Sequence, residues 1–325
     1  IVVVREYLTG NLGLAGAFTI ILLASEFFIP LRLLGSFFHI AMNGMAASDK
    51  IFRLLDMPEK EKGTEELSAD KLDITFENVE FAYEKDRKIL DSICFSIPHG
   101  NFVSLVGESG CGKSTIASMI MGRNRNYGGK ISIGRKDLAK ISEESLMKHI
   151  TMVRHNSYLF KGTVEENLRM GKPEAQENEL KEVLRKVNLW DFLNTQEGLK
   201  TRLLERGSNF SGGQCQRLCI ARALLHNTPV YIFDEAASNI DVESEEIIME
   251  VIRGLARTKT VLLISHRLAN VKKSDRIYVL DQGRMAEQGS HEELLKKNGV
   301  YAKMYRTQRN LEEYGLCTEE RRAGA

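Results

Sequence analysis

Gly107-Glu108-Ser109-Gly110-Cys111-Gly112-Lys113-Ser114-Thr115 lies between an apolar run, FVSLV at 102–106, and a helix-like run, STIASMIM at 114–121. The spacing fits GxxxxGK[ST], a glycine-rich loop joining a strand to a helix. The chemistry explains the residue types. Backbone N–H groups must turn inward around a phosphate, in conformations that a side chain obstructs. The helix start adds its positive dipole end, Lys113 adds a point charge, and Ser114 offers a hydroxyl to Mg²⁺.

Working outward, strand candidates are Phe102–Val106, Val230–Phe233, Val261–Ile264 and Arg276–Leu280. Helical stretches fall near 114–122, 177–193, 212–225 and 243–256. Strands alternating with helices predict an α/β domain with a mostly parallel sheet. From Asp73 to Tyr83 the apolar residues alternate as Ile74, Phe76, a slip, then Val79, Phe81 and Tyr83. That pattern predicts strands with one solvated face.

Two further stretches carry chemistry. Ser211-Gly212-Gly213-Gln214 leads into QCQRLCIARALL, so a second loop-to-helix junction offers N–H groups to an anion. An ordinary N-cap at Ser211 reads equally well. Val230-Tyr231-Ile232-Phe233-Asp234-Glu235 is an apolar strand ending in two carboxylates. There Asp234 is placed to hold Mg²⁺ through its water shell, and Glu235 to polarise a water for attack on a γ-phosphate. His266 closes the run VLLISH, beside the carboxylate strand, where it suits a γ-phosphate sensor.

The amino-terminal end differs in kind. Leu12 to Leu31 is a 20-residue apolar window with Glu26 as its one charge. It is long enough, at about 30 Å, to cross a bilayer core. A buried core helix is the alternative. Arg32, Lys50 and Arg53 follow and place the soluble part on the cytoplasmic side, and Pro30 predicts a kink. Glu26 is expected to face other helices or a watery cavity, since lipid disfavours a charge. The chain opens with Ile1 inside an apolar run and reads as the continuation of a longer polypeptide with earlier spans. Residues 57–72 read as an exposed charged linker and 311–325 as a tail.

Over its 325 residues, Lys+Arg total 45 and Asp+Glu 44. A net charge of +1 excludes a polybasic nucleic-acid binder. Five cysteines in a long chain without a CxxC pair read as reduced thiols.

GESGCGKST, FSGGQ, YIFDE, SNID and SH, in this order, resemble the ATP-binding cassette (ABC) ATPases. With the apolar run, residues 1–310 resemble the carboxyl-terminal part of an exporter half-transporter. The fold so implied is a P-loop ABC ATPase domain at 73–310, a mostly parallel sheet with antiparallel β and helical subdomains. A transmembrane fragment at 1–56 precedes it, its last span at about 12–55. The resemblance also implies ATP and Mg²⁺ bound between two such domains, from identical or paralogous chains. Each ATP would lie between Gly107–Thr115 of one chain and Ser211–Gln214 of the other. Tyr83 would stack on adenine, Asp241 would lie at the seam, and Ser114 and Asp234 would hold the metal. His155, within Met152–Ser157, takes the position of the family's usual Gln, which contacts metal and water. Phe210 replaces the usual Leu and Asn239-Ile240 the commoner Ala-Leu. A multi-pass protein of the cell membrane follows, with lipid and a small-molecule cargo as partners. RHNSYLFKGTV, SGGQCQR and SNID are similar to bacterial thiol and amino-acid exporters. A soluble ABC ATPase and a nucleotide-gated regulatory subunit are the competing readings. Cys111 in the loop implies inhibition by thiol alkylation, with protection by ATP.

Overall fold

In the computed structural model, which describes residues 1–57, 63–68, 72–84, 87–238 and 240–310, the chain divides into two units near residue 61. The first is helical, with α1 (Val2–Leu8) and α2 (Leu14–Leu55). Runs rich in Leu, Ala, Phe and Ile, with Glu26 the one charge before Arg32, favour a helix that is apolar over most of its surface in its first half. Phe18, Leu22, Phe27, Leu34 and Phe38 are all exposed, and Ala17 is the one buried residue of α2. At 42 residues α2 is about 63 Å long, roughly twice a bilayer core. Pro30 lies inside it and does not end it. Among the described residues, this one helix is long and apolar enough to cross a membrane.

The second unit begins with a β-hairpin, β1 (Ile74–Glu84) and β2 (Arg87–Ile97). The alternation slip seen in the sequence is a register shift between Phe76 and Val79, where Asn78 takes φ 48°. The extra residue returns Val79 and Phe81 to the buried face. Next come β3 (Phe102–Val106), α3 (Lys113–Ile120), β4 (Gly128–Ile133), β5 (Lys136–Asp137), α4 (Glu143–His149) and β6 (Ile150–Arg154). A helical layer follows: the short β7 (Gly162–Thr163), α5 (Val164–Arg169), α6 (Glu177–Lys186), α7 (Trp190–Asn194) and β8 (Arg202–Leu203). The chain then runs through α8 (Gly212–His226), β9 (Val230–Asp234), α9 (Val242–Leu255), β10 (Thr260–Ile264), β11 (Arg276–Asp281), β12 (Arg284–Gly289), α10 (His291–Lys297) and α11 (300–310).

The strand order of the main sheet is β12-β11-β3-β10-β9-β6, parallel throughout except for β12 at one edge. An antiparallel sheet of order β2-β1-β4-β5 packs against it, with the Tyr278 hydroxyl donating to Ser96 O at 2.8 Å. Each central strand sends alternate residues into two different cores. Phe102, Tyr231, Phe233, Val261 and Leu263 join one core with α8 and α9. Val103, Leu105, Ile232, Leu262 and Ile264 join the other with α3 and the antiparallel sheet. Burial on both faces is why these strands read as continuous apolar runs. Truncating Phe233, fully buried, removes about 3–5 kcal/mol of stability.

Two expectations change. The helix predicted at 177–193 is two helices, because Asn188 turns left-handed at φ 50° and starts a new axis. Beyond the break, the Trp190 ring lies under Lys181 Nζ and Arg185, at 5.4 and 5.9 Å. The stretch read as exposed linker is attached at 63–68: Glu65 bridges Ile141, and Leu67 is buried with its N–H donating to Ser145 Oγ at 2.7 Å. The tail 311–325, Asn239 and Cys317 lie outside the described residues.

At the carboxyl end, Glu287 Oε1 accepts from Val300 N at 2.8 Å, capping the start of α11. Tyr301 is fully buried, its hydroxyl 2.7 Å from His291 Nδ1. Burial, aided by the charge of Lys272, pushes the His291 imidazole below its ordinary pKa, and burial does the same to His226. Both are therefore held neutral in the fold, while the unfolded chain takes up protons near pH 6.5. The stabilisation is complete above about pH 6.5 and is lost as pH falls below it. Thermal melting is expected to drop between pH 7.5 and 5.5, and His291→Gln is expected to flatten that slope. A slope unchanged in the variant assigns the acid sensitivity to other groups.

Candidate active site

Strand order alone lines up the chemistry. In the parallel sheet β3, β10, β9 and β6 are consecutive neighbours, with Leu105 opposite Ile264, and Asp234 opposite both Ile264 and Arg154. Their carboxyl ends therefore deliver Gly107, His266, Asp234-Glu235 and His155 to one edge, over about 14 Å at the usual strand spacing. Such an edge is where open parallel sheets bind ligands.

The loop after β3 wraps the start of α3. Gly112 is the N-cap at φ 110°, and a Cβ there would come within 2.6 Å of Leu90 Cδ2. With glycine at that place no side chain caps α3, so its first N–H groups are left for a ligand. Lys113 is buried, and its Nζ donates to the carbonyls of Gly107 at 2.9 Å and Glu108 at 2.7 Å. Glu108, Ser109 and Gly110 are exposed at the tip, and Thr115 is buried one turn below. Cys111 is buried, with Lys113 Nζ 3.6 Å from its Sγ. Burial raises its thiol pKa and outweighs the nearby ammonium. A scarce thiolate reacts slowly, so among the described cysteines the alkylation expected from the sequence falls first on the exposed Cys94.

Ser114 Oγ donates to Asp234 Oδ1 at 3.0 Å, across a sequence gap of 120 residues. Asp234 is buried, and Arg154 Nε lies 3.6 Å from its other oxygen. Arg154 was not singled out from the sequence; its place at the end of a strand adjoining β9 was the missing information. Glu235 stands at φ 54°, a left-handed conformation unfavourable for a side chain. Its N–H donates to Ile264 O at 3.0 Å. The strained turn aims the carboxylate across β10, where its Oε1 is 2.5 Å from His266 Nε2.

His155 donates its backbone N–H to Asp234 O at 3.2 Å, and its side chain is exposed. Buried Gln216 of α8 fixes the neighbouring backbone, Nε2 donating to Arg154 O at 3.0 Å. Gln216 also escaped the sequence reading. Tyr83 is 62% exposed, set edge-on to Phe81, with Asn124 Nδ2 donating to its hydroxyl at 3.3 Å.

Ser211 is the N-cap of α8 in a reciprocal capping box: its Oγ accepts from Gln214 N at 3.2 Å, and Gln214 Oε1 accepts from Ser211 N at 2.9 Å. The N-cap reading thus describes its local geometry. Gly212 is exposed, and Gly213 is small by necessity, since a Cβ there would lie 2.8 Å from Asp241 Oδ2. Asp241 is itself the N-cap of α9, accepting from Ser244 N at 2.8 Å, and that bond holds its carboxyl below the usual range. The structure therefore joins Asp241 to Ser211–Gln214. Among the described residues, no hydrogen bond or ion pair joins that group to the Gly107–Thr115 loop. Phe210 packs edge-on against Phe192, 5.7 Å between centroids.

The donor set fits a magnesium nucleotide. A hard cation bound with phosphates needs one hydroxyl and one carboxylate from the protein and takes water for the rest. Ser114 and Asp234 are such a pair, already in contact, beside a buried ammonium and an uncapped helix start.

The family model described as "ABC transporter" matches residues 90–238. The chain is 47% identical to an "Uncharacterized ABC transporter ATP-binding protein" of Haemophilus influenzae, over 95% of this chain and 55% of that protein. It is 38% identical to an "ATP-dependent lipid A-core flippase" of Haemophilus ducreyi, over 93% of this chain and 53% of the relative. A solved bacterial Atm1-family ABC exporter with ATP bound superposes with a TM-score of 0.76 at 36% identity, covering 87% of this chain and 50% of its own. The chain thus spans about half the length of the relatives it matches.

Proposed function

Because this chain belongs to the ABC transporter ATPases, we propose that it binds and hydrolyses ATP to drive export across a membrane, paired with a second such chain. The strongest support is the alignment of four strand ends on one edge, with Ser114 against Asp234 and Glu235 against His266.

In this reading the uncapped N–H groups of α3 and the Lys113 ammonium hold the phosphates. Ser114 and Asp234 hold Mg²⁺, which when bound neutralises charge developing on the phosphoryl oxygens. Glu235 orients the attacking water and takes its proton, while His266 keeps that carboxylate aimed. Arg154 offsets the charge of Asp234 before nucleotide arrives, and His155 lies beside the same carboxylate. Tyr83 presents its exposed ring to the base. The α8 start, with the Ser211 hydroxyl and the Gly212 and Gly213 N–H groups, closes over the nucleotide of the opposite chain, and Asp241 at its side meets the seam. ATP favours closure because cations and helix starts from both chains enclose its phosphates; hydrolysis removes that attraction. Helices such as α2 would carry the motion into the bilayer. A thiol or amino acid as cargo is supported by the sequence stretches quoted above.

The test is cross-linking in lipid. A full chain carrying Ser109→Cys and a differently tagged chain carrying Ser211→Cys, both without Cys94, are mixed and treated with a short bifunctional thiol reagent. A mixed dimer that forms with ATP and not without it is the expected result. A chain that stays single, or links equally without ATP, overturns the shared cleft between two copies.

A further inference from the structure

Strand β10 ends at Ile264, and the turn beyond it brings His266 to Glu235. A side chain that acts by contact must be held to a fraction of an ångström, so the supports of this turn bear on the reaction. Within it, Ser265 Oγ accepts from Arg267 N at 3.0 Å. From α9, the buried carboxylate of Glu245 pairs with Arg267 and accepts from Asn270 Nδ2 at 2.8 Å. From α11, the Gln308 amide spans the turn. Its Nε2 donates to the His266 carbonyl, and its Oε1 accepts from Leu268 N at 2.9 Å.

Gln308 contributes nothing evident to its own helix. The start of α11 is already fixed by buried Tyr301 and Ala302 and by the Glu287 cap. An amide donates with one atom and accepts with the other, so it satisfies two backbone groups two residues apart. Neither an apolar nor an acidic side chain does both. One of those groups belongs to His266 itself, so the amide fixes the backbone that carries the imidazole.

We infer that Gln308 is a positioning residue for ATP hydrolysis, holding His266 within reach of Glu235 from the carboxyl-terminal helix. The inference rests on the reading of Glu235 and His266 as the groups at the reacting phosphate. It makes α11 a determinant of turnover, although that helix is not one of the elements whose ends form the sheet edge where nucleotide is held.

The test is a double-mutant cycle by single-turnover ATP hydrolysis, with the full chain in lipid. Gln308→Met keeps the length and removes both hydrogen bonds. It is expected to lower the hydrolysis rate about 10-fold, with the KM for ATP and the melting temperature near native. In a His266→Ala background the same change is expected to cost less than about twofold, because the group it positions is gone. Equal losses in both backgrounds overturn the inference, as does a loss expressed as raised KM or lowered melting temperature. If Gln308→Met fails to fold, Gln308→Glu, which keeps the acceptor and loses the donor, takes its place in the cycle. Near-native hydrolysis by His266→Ala alone is a separate failure: it overturns the reading of the site and the inference with it.

Discussion

Glu235→Gln is expected to slow ATP turnover by about 10²–10⁴-fold, the range for loss of a positioned general base, while ATP still binds. The amide matches the carboxylate in shape and still reaches His266, but it takes no proton. Backbone dictates the direction of this side chain, through φ 54° and the bond from its N–H to Ile264 O. The substitution therefore changes chemistry without changing aim. Phosphate release under single-turnover conditions, with nucleotide binding measured on the same sample, separates the two effects. Turnover within tenfold of native would remove Glu235 from the base's role.

Lys113→Met has the other large expected effect: ATP affinity falls by at least about 10²-fold, and hydrolysis falls with it. Hydrogen bonds to a charged group contribute about 1.5–3 kcal/mol each, and a buried ammonium offers up to three. Gly107 and Glu108 carbonyls occupy two of those donors here. Phosphate oxygens must draw the ammonium toward themselves, and the thioether has nothing to offer them. Lys113→Arg is expected to fail as well, since a rigid planar fork does not fit a buried slot shaped for a point charge. Calorimetric titration with ATP reads both variants. Native-like affinity in either contradicts the cradle.

Much of this architecture was legible in the chain. The slip between Phe76 and Val79 falls at the register shift, and the largely apolar runs at 102–106, 230–233 and 261–264 marked three central strands. Short or polar elements were not. β6 and β12 mix apolar with polar residues, and β7 and β8 have two residues each, too few for a periodicity to register. The break at Asn188 depends on one residue turning left-handed inside an amphipathic pattern that continues past it. At the candidate site, local motifs marked the glycine-rich loop at 107–115 and the Asp234-Glu235 pair. Which side chains meet depends on strand order and on how the helices dock, and no local pattern encodes that. The contacts of Ser114 with Asp234, of Arg154 with the same carboxylate and of Gln308 with the His266 backbone all arise that way. The burial of Cys111 is similar, since its cover comes from tertiary packing.

Trp190 is the chain's single tryptophan, seated in the helical layer beneath two cations. Indole emission responds to the field and the water around the ring, so a shift of Lys181 or Arg185 changes its colour and yield. The protein thus contains its own optical probe, and stopped-flow fluorescence can time the response of that layer to nucleotide without any dye.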